Sequence, residues 1–340
     1  MRRVFKKAYL LTLALLFSAN AEKSVFPEQS RLDSKLSEYQ KVDGVSGNLN
    51  SIGSDTLNNL MTFWAEGFKK IYPNINIQIE GKGSSTAPPA LMEGTAQLGP
   101  MSRPMKKEEL DRFDSKYGFK PTAIGVAMDA LAVFVNKDNP LNSLTLPQID
   151  GIFSKTRKTG FAENITLWGQ LGLKNEWSNL PMSLYGRNSA SGTYGYFKEH
   201  ALKKGDCKDT VKEQPGSAAV VMSVTEDKAG IGYSGIGYIT SGVKPLLLSN
   251  KESGQTVSPE YENVIQGKYP LGRMLYIYVV KKPNEPLSPM IQQFLLFVLS
   301  KEGQVIVEKD GYLPLTSDMT QKSSLAVIGN VWEQGKISNQ

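Results

Sequence analysis

The sequence indicates an α/β protein with mainly parallel sheets. From Gly44 onward, short β-like runs alternate with segments whose apolar residues recur at helical spacing, a pattern typical of sheets flanked by helices. The chain has 340 residues, of which 40% are hydrophobic, so it can form two lobes that each have a core. Charged residues make up 21% of the chain, as in ordinary globular proteins.

Residues 1–21 are predicted to be a secretory signal peptide. Four basic residues precede an apolar run from Ala8 to Phe17, and small residues follow up to Ala21. This order is typical of a signal peptide, and the run is too short to span a bilayer. The alternative for this segment is a buried N-terminal helix, which would not require basic, apolar and small residues in this order. We therefore expect a periplasmic protein, cleaved after Ala21.

The predicted cleavage also changes the charge of the chain. The four basic residues lost lower the formal net charge from +6 to +2. A charge this small gives no argument for nucleic acid or an anionic membrane surface as a partner. The residues removed are Arg2, Arg3, Lys6 and Lys7.

The first half begins with a polar extension, residues 22–43, before the first strand. A helix is expected from Leu57 to Ile71, because its apolar residues recur at helical spacing and Tyr72-Pro73 follows. Alternating isoleucines predict a strand over 75–79. A long apolar run, 123–135, contains the single charge of Asp129.

The second half has a similar order of elements. A short strand is expected over 181–185, and the loop Arg187–Thr193 follows it and opens a helix. Residues 231–239 are glycine-rich and β-like, and 274–280 predict a strong strand. Ser288-Pro289 is typical of a helix start.

Cysteine and histidine are each represented once, by Cys207 and His200. A single cysteine forms no internal disulfide, and these two residues cannot build a closed zinc site. No cysteine lies near the cleavage site, which excludes the usual lipid anchor. We expect no metal and no other cofactor, a solvated histidine, and an inert thiol.

An enzyme is not indicated. Gly230–Gly235 matches G-x-G-x-x-G, but the segment before it is polar and the one after it is strand-like, so a dinucleotide site is not supported. There is no G-x-S-x-G, and carboxylates do not cluster with histidine as in metal phosphatases.

Hydroxyl-rich turns instead precede four predicted helices. Serine, threonine and aspartate are preferred N-caps, so each turn alone could be a cap. Four of them in one chain favour a shared function. They are Gly53–Thr56, Gly83–Thr86, Met101–Arg103 and Ser189–Thr193.

Such turns suit a small tetrahedral oxyanion. A helix N-terminus exposes unpaired N–H groups and a partial positive charge. Glycine allows close approach to the backbone, and hydroxyls donate hydrogen bonds. Arg187, four residues before Ser191, offers a planar bidentate donor to two oxygens of the ion.

On these motifs the chain resembles the periplasmic phosphate-binding proteins of ABC-type phosphate importers. The resemblance runs from about Gly44 to Leu315. The order and spacing of five segments carry it: Ser51–Thr56, Gly81–Ser85, Met101–Pro104, Tyr185–Arg187 with Ser191–Thr193, and Gly230–Tyr233.

The resemblance implies a two-lobed, type II-like periplasmic binding protein fold. Each lobe would contain a mainly parallel sheet flanked by helices, and two crossing strands would form the hinge. Lobe 1 would comprise residues 44–128 plus 240–340, and lobe 2 residues 129–239. The crossings would fall near Ala127–Ala130 and Tyr238–Ser241.

It also implies a ligand, a partner and a site. We expect a monomer that binds inorganic phosphate in the cleft, without catalysis, and delivers it to the permease subunits of an ABC importer. Ser85 would be a close neighbour of the ion. The residues implied to bind it are Ser54, Asp55, Thr56, Ser84, Arg187, Ser191, Gly192 and Thr193.

Ser102 departs from the family pattern. Members of the family place an aspartate in this third loop, where it accepts a proton from phosphate and so rejects sulfate. Our hypothesis is that Asp55 supplies the carboxylate instead; alternatively, Asp55 caps its own helix. Three alternative functions remain. The protein could bind another tetrahedral oxyanion such as sulfate or molybdate, act as a secreted phosphatase, or serve as a surface or matrix protein.

Overall fold

The computed structural model describes residues 31–251 and 254–329. The predicted signal peptide and residues 22–30 of the predicted extension lie outside this part of the chain. Within it the strands, numbered in chain order, are β1 (Gly47–Ile52), β2 (Ile75–Glu80), β3 (Gly99–Met101), β4 (Thr122–Asn136), β5 (Ser143–Thr145), β6 (Ser183–Arg187), β7 (Lys212–Gln214), β8 (Gly230–Gly235), β9 (Val243–Pro245), β10 (Leu247–Ser249) and β11 (Gly272–Val279).

Helices lie between and after these strands. Short 3-10 turns at Asp55–Leu57 and Ser84–Thr86 lead into α1 and α2. The α-helices are α1 (Asn58–Ile71), α2 (Ala87–Glu93), α3 (Lys107–Tyr117), α4 (Leu146–Phe153), α5 (Gly192–His200), α6 (Ser217–Glu226), α7 (Tyr261–Ile265), α8 (Pro289–Leu299), α9 (Lys301–Lys309) and α10 (Ser317–Ile328).

The α/β class is confirmed, and the sheets are mixed. Parallel pairs join β1 to β2, β5 to β10, and β6 to both β7 and β8. The strands around β4 pair antiparallel: β11 and β8 along its length, and β9 at its end. Antiparallel pairing follows because β4 leads the chain from one core to another and β11 leads it back.

Two large apolar cores lie on either side of this crossing. The first core contains the apolar face of α1 with α8, α9 and β11. The second contains α4, α5, β6 and β8. Strand β4 contributes to both. Ile124, Val126 and Ala127 are buried in the first core, whereas Ala130, Leu131, Val133 and Val135 are buried in the second.

Several residues beyond the predicted boundary at 239/240 contact the second core. Strand β9 pairs with the second half of β4, and Leu246, Leu248 and Leu271 are buried in the second core. Ile236 and Tyr238 are partly buried against the first core, and the next fully buried residue of that core is Leu275 in β11. The predicted division stays a prediction, and we propose to extend lobe 2 to Leu271.

The described part of the predicted extension packs against the first core. Leu36 is buried, and Tyr39 contacts the rings of Phe68, Tyr72 and Phe297 edge-on. The Tyr39 hydroxyl also hydrogen bonds to Tyr72 at 2.8 Å. These anchors attach the polar segment to the back of the lobe, away from the loops that follow β1, β2 and β3.

Candidate anion-binding site

Three loops of the first lobe are tied together by their backbones. The Gly83 N–H donates to the Gly53 carbonyl at 2.7 Å, and the Ser54 N–H donates to the Pro100 carbonyl at 2.8 Å. Gly53 lies so close to this carbonyl that a Cβ there would be 2.2 Å from its oxygen. The hydroxyl turns after β1, β2 and β3 are therefore held side by side.

The loop between β6 and α5 meets these turns from the second lobe. The Thr56 and Thr193 hydroxyl oxygens are 2.9 Å apart, and the Ser85 N–H donates to the Ala190 carbonyl at 3.1 Å. A Cβ on Gly192 would lie 2.1 Å from Ser84 Oγ. The structure thus brings together residues of both lobes that the sequence singles out.

The converging polar side chains are buried. Among the described residues, Ser54 Oγ and Arg187 Nε have no hydrogen-bond partner. Buried polar groups normally have one, so these two donors are suited to an acceptor held between the lobes. The site residues with less than 3% exposure are Ser54, Thr56, Ser84, Ser102, Arg187, Ser191 and Thr193.

Several hydroxyl oxygens at the site already accept a hydrogen bond. Ser84 Oγ accepts from the Ser102 N–H at 3.0 Å. Ser191 Oγ caps α5 by accepting from the Tyr194 N–H at 3.3 Å. Because these oxygens are acceptors, their own protons are available to a second acceptor. The site therefore presents donors, which an oxyanion requires.

Arg187 is fixed by the second lobe and by Asp55. Its Nη1 donates to Ser217 Oγ at 2.7 Å, and its Nη2 donates to the Pro215 carbonyl at 3.1 Å. Burial lowers the pKa of Arg187, and the charge of Asp55 opposes this. An arginine stays charged under these conditions, so the site contains a permanent cation.

Asp55 crosses between the lobes. Its Oδ2 accepts from the Ser217 N–H at 2.9 Å and lies 3.1 Å from Arg187 Nη1. Ser217 is the first residue of α6. The carboxylate therefore contacts the N-terminus of a helix in the other lobe, and no hydrogen bond to its own helix is found in the described residues.

Ser85 and Ser102 lie in different surroundings. Ser85 is half-buried, and its hydroxyl accepts from Arg103 Nη2 at 3.2 Å. Arg103 is in turn paired with Glu109 at 2.7 Å. Ser102 is buried, with its hydroxyl 3.3 Å from that of Ser84. Ser102 therefore lines the site, whereas the Ser85 side chain faces a neighbouring ion pair.

A buried ion pair beside the site was not predicted. Asp129 Oδ2 accepts from Arg273 Nη2 at 2.7 Å, and Arg273 Nη2 also donates to Thr193 Oγ1 at 3.0 Å. Burial raises the pKa of Asp129, and Arg273 opposes this. The available signal was the lone charge in the apolar run of β4, since a buried charge needs a partner. Nothing local identified Arg273.

Candidate metal-ligating side chains are dispersed in the part of the chain that the structure describes. The described residues contain no group of three or more histidine, cysteine, aspartate or glutamate side chains that could hold a metal ion. His200 is exposed on α5, and Cys207 is half-buried, with burial raising the pKa of its thiol. In the same residues no helix is long and apolar enough to cross a membrane.

Comparison with known proteins identifies close relatives. Residues 40–302 match the model of the PBP superfamily domain. Phosphate-binding protein PstS of Pseudomonas aeruginosa is 59% identical over 292 residues, which cover 86% of this chain and 90% of that protein. Protein SphX of Synechococcus elongatus is 32% identical, with 77% and 76% of the two chains covered.

Solved structures share the fold. A Clostridium perfringens protein, described as a phosphate ABC transporter substrate-binding protein with bound phosphate, has a TM-score of 0.67. It is 26% identical, with 79% of this chain and 100% of that chain covered. A Vibrio cholerae ABC-type phosphate transport receptor, 21% identical, has a TM-score of 0.62 and covers 78% and 100%.

Proposed function

This chain belongs to the phosphate-binding proteins of the PBP superfamily, and from this we propose that it is the substrate-binding protein of an ABC-type phosphate importer. Inorganic phosphate is its ligand and the importer's permease subunits are its partner. The protein acts outside the cytoplasmic membrane after cleavage behind Ala21, as a monomer, and it binds phosphate without chemical turnover.

One observation supports this function above the others. Ser54 Oγ and Arg187 Nε are two buried donors without a partner, and they lie among hydroxyls whose oxygens already accept hydrogen bonds. An acceptor with several oxygens satisfies them together. A tetrahedral oxyanion meets this requirement, because the N-terminus of α5 and an arginine face the same space.

We assign the phosphate ligands to both lobes. The first lobe contributes its three hydroxyl turns, and the second contributes Arg187 and the start of α5. Ser85 acts as a neighbour that fixes the second turn through its backbone. The proposed ligands are Ser54, Asp55, Thr56, Ser84, Ser102, Arg187, Ser191, Gly192 and Thr193.

Phosphate binding requires that the lobes separate and close again. The ligand enters between the lobes, and donors from both sides then surround it. Asp55 helps to hold the closed form, since its carboxylate contacts Arg187 and Ser217 across the cleft. The closed protein, with its ligand buried, is the form that the permease receives.

Calorimetry on the mature chain, stripped of bound ligand, tests the proposal. Phosphate, arsenate, sulfate and molybdate are titrated separately, and we expect tight binding of phosphate and arsenate, which share shape and protonation. Tight binding of sulfate without phosphate would contradict the proposal. A parallel assay for phosphate release from phosphate esters should show none, in contrast to a secreted phosphatase.

Arg187→Lys provides the matched variant for this titration. Lysine keeps the charge but lacks the planar fork, so phosphate binding should weaken by about 10- to 100-fold, the loss expected for charged hydrogen bonds. Lys155→Met serves as control, because Lys155 is paired with Asp209 on the surface. The control should bind phosphate like the unaltered chain.

A further inference from the structure

Two buried charges face each other where the chain passes between the lobes. Arg273 on β11 is the register partner of Asp129 on β4, and they are 3% and 0% exposed. Asp129 Oδ2 accepts from Arg273 Nε at 2.8 Å and from Nη2 at 2.7 Å, and Oδ1 accepts from the Ile236 N–H at 2.9 Å. We call Asp129 and Arg273 the hinge pair.

The hinge pair also contacts both halves of the proposed phosphate site. Arg273 Nη1 donates to the Ser102 carbonyl at 2.9 Å, in the third turn of the first lobe. Its Nη2 donates to Thr193 Oγ1 at 3.0 Å, in the second lobe. The planar guanidinium therefore fixes the distance between a carbonyl on one side and a hydroxyl on the other.

The contact with Thr193 determines how its hydroxyl is used. A guanidinium donates hydrogen bonds and cannot accept them, so the oxygen of Thr193 must be the acceptor. Its proton is then directed away from Arg273, towards Thr56 or a ligand. Accepting from a cation also polarises the hydroxyl and makes it a stronger donor. The result is a threonine prepared to bind an anion.

Stability alone does not account for this arrangement. A buried ion pair can often be replaced by apolar residues with no loss of stability. Asp129 is satisfied by hydrogen bonds from Arg273 Nε, Arg273 Nη2 and the Ile236 N–H, and none of these involves the binding loops. Yet Arg273 directs two of its bonds to Ser102 and Thr193, and its guanidinium also lies 5.4 Å from the Tyr196 ring centroid on α5.

We propose that Arg273, oriented by Asp129, is a positioning residue for phosphate binding that aims the Thr193 hydroxyl and fixes the Ser102 turn in the closed state. This inference rests on the proposed function of the site. Arg273 itself does not contact the ion. Its effect reaches the ion through Thr193 and Ser102, at the strand crossing where the lobes move relative to each other.

A double-mutant cycle on phosphate affinity tests the proposal. Arg273→Lys, Thr193→Val and the double variant are titrated with inorganic phosphate by calorimetry. We expect Arg273→Lys to weaken binding by about 10- to 100-fold, the loss typical of a hydrogen bond to a charged group. The loss in the double variant should be at least about fivefold smaller than the product of the single losses, as for coupled residues.

Two outcomes would overturn the inference. One is a folded Arg273→Lys variant that binds phosphate like the unaltered chain, and the other is a cycle in which the losses multiply. If Arg273→Lys does not fold, Asp129→Leu/Arg273→Met replaces it, because paired apolar substitution avoids an unpaired charge. Failure of the unaltered chain to bind phosphate would count against the proposed function instead.

Gln304→Leu is the control for stability. Gln304 is fully buried in the first core, where it donates to the Val126 and Val298 carbonyls and accepts from the Leu315 N–H. Its loss should lower the denaturation midpoint and leave phosphate affinity unchanged. If Arg273 had only a structural role, Arg273→Lys would also lower the denaturation midpoint without changing phosphate affinity. Comparison with Gln304→Leu therefore separates a structural role from a positioning role.

Discussion

Gly192 lies where the two lobes come closest. A Cβ at this position would be 2.1 Å from Ser84 Oγ and 2.6 Å from Ser102 Oγ, both in the opposite lobe. Its backbone conformation is helical, so the glycine is required by space and not by its φ angle. A methyl group would occupy the place where hydroxyls of the first lobe approach the start of α5.

We predict that Gly192→Ala prevents closure and weakens phosphate binding by more than about 100-fold, the effect expected when donors from both lobes can no longer reach the ion together. The denaturation midpoint of the ligand-free variant should stay close to that of the unaltered chain. Gly195→Ala in the same helix is the control, since its Cβ would meet only the Arg103 side chain at 3.2 Å. Equal affinity of both variants would refute the prediction.

Asp55→Asn separates the contact of this carboxylate with Arg187 from its proposed role in accepting the phosphate proton. The amide can still accept from the Ser217 N–H, but the ion pair with Arg187 that helps to hold the closed form is lost. We therefore expect about tenfold weaker phosphate binding, mainly through faster dissociation. If Asp55 also receives the phosphate proton, sulfate binding should improve in the variant. Stopped-flow release and calorimetry measure both effects. Asp206→Asn, in an exposed pair with Lys198, should change neither.

The residues of the site were predictable where they belong to local motifs. Ser54, Ser84 and Arg187 to Thr193 lie in turns whose composition alone indicates helix starts and anion donors. Ser217, Asp129 and Arg273 were not predicted to be at the site, because each acts through a partner distant in sequence. No local sequence pattern indicates that Arg273 on β11 faces Asp129 on the neighbouring strand β4.

At the scale of elements, the predicted strand and helix order is found, and the boundaries differ where side chains decide them. The third turn was expected to open a helix at Ser102, but α3 begins at Lys107. Glu109 accepts from the Lys106 N–H at 2.7 Å and also pairs with Arg103. This capping interaction fixes the start of α3, and it leaves Ser102 free to line the site.

A carboxyl group lies where its negative charge is unfavourable, at the end of helix α9. Asp310 follows its last residue, and Oδ2 of Asp310 is buried without a partner among the described residues. Burial raises the pKa of this carboxyl to about 6. A negative charge at a helix C-terminus is also opposed by the helix dipole. The folded protein therefore favours the neutral form more than the unfolded chain does.

This predicts the pH dependence of Asp310→Asn. Because the folded pKa is raised, the stability associated with the neutral carboxyl is present below about pH 4, the unfolded pKa, and is lost as pH rises through 6. The variant should match the unaltered chain at pH 4 and be more stable by about 1 kcal/mol at pH 7, since solvent screens part of the cost.

Denaturant titrations at pH 4, 5, 6 and 7 measure the difference. Asp114→Asn, at an exposed position on α3, is measured beside it as the control. A constant difference across this range would mean that folding does not raise the pKa of Asp310, contrary to the prediction.

At the scale of the whole molecule, two lobes could be predicted from the sequence, and the division of the chain between them stays a prediction. Chain length and alternating elements indicate two cores, whereas the return crossing depends on which strand β9 pairs with. That strand is the second half of β4, and Leu246, Leu248 and Leu271 further along the chain are buried in the second core. Pairing partners of three-residue strands are set by the assembled sheet and leave little trace in the sequence.

Because the site is enclosed, phosphate binding depends on opening and closure of the two lobes. Its hydroxyls and Arg187 are almost fully buried, and the lobes contact each other through Thr56, Thr193, Asp55 and Ser217. In the proposed function, phosphate reaches Ser54 Oγ and Arg187 Nε when these contacts open. The ligand-free protein should therefore populate an open form, and phosphate should shift it to the closed one.

Small-angle scattering on stripped protein tests this shift. Adding phosphate should reduce the radius of gyration, and at about 100 times Kd it should raise the free energy of unfolding by about 2.7 kcal/mol, as linkage requires. Gly192→Ala should remain expanded under the same phosphate concentration, because its methyl group blocks the approach of Ser84. A stabilisation by phosphate without any change in scattering would mean that the ion binds to one lobe alone, and the roles assigned to residues across the cleft would then be wrong.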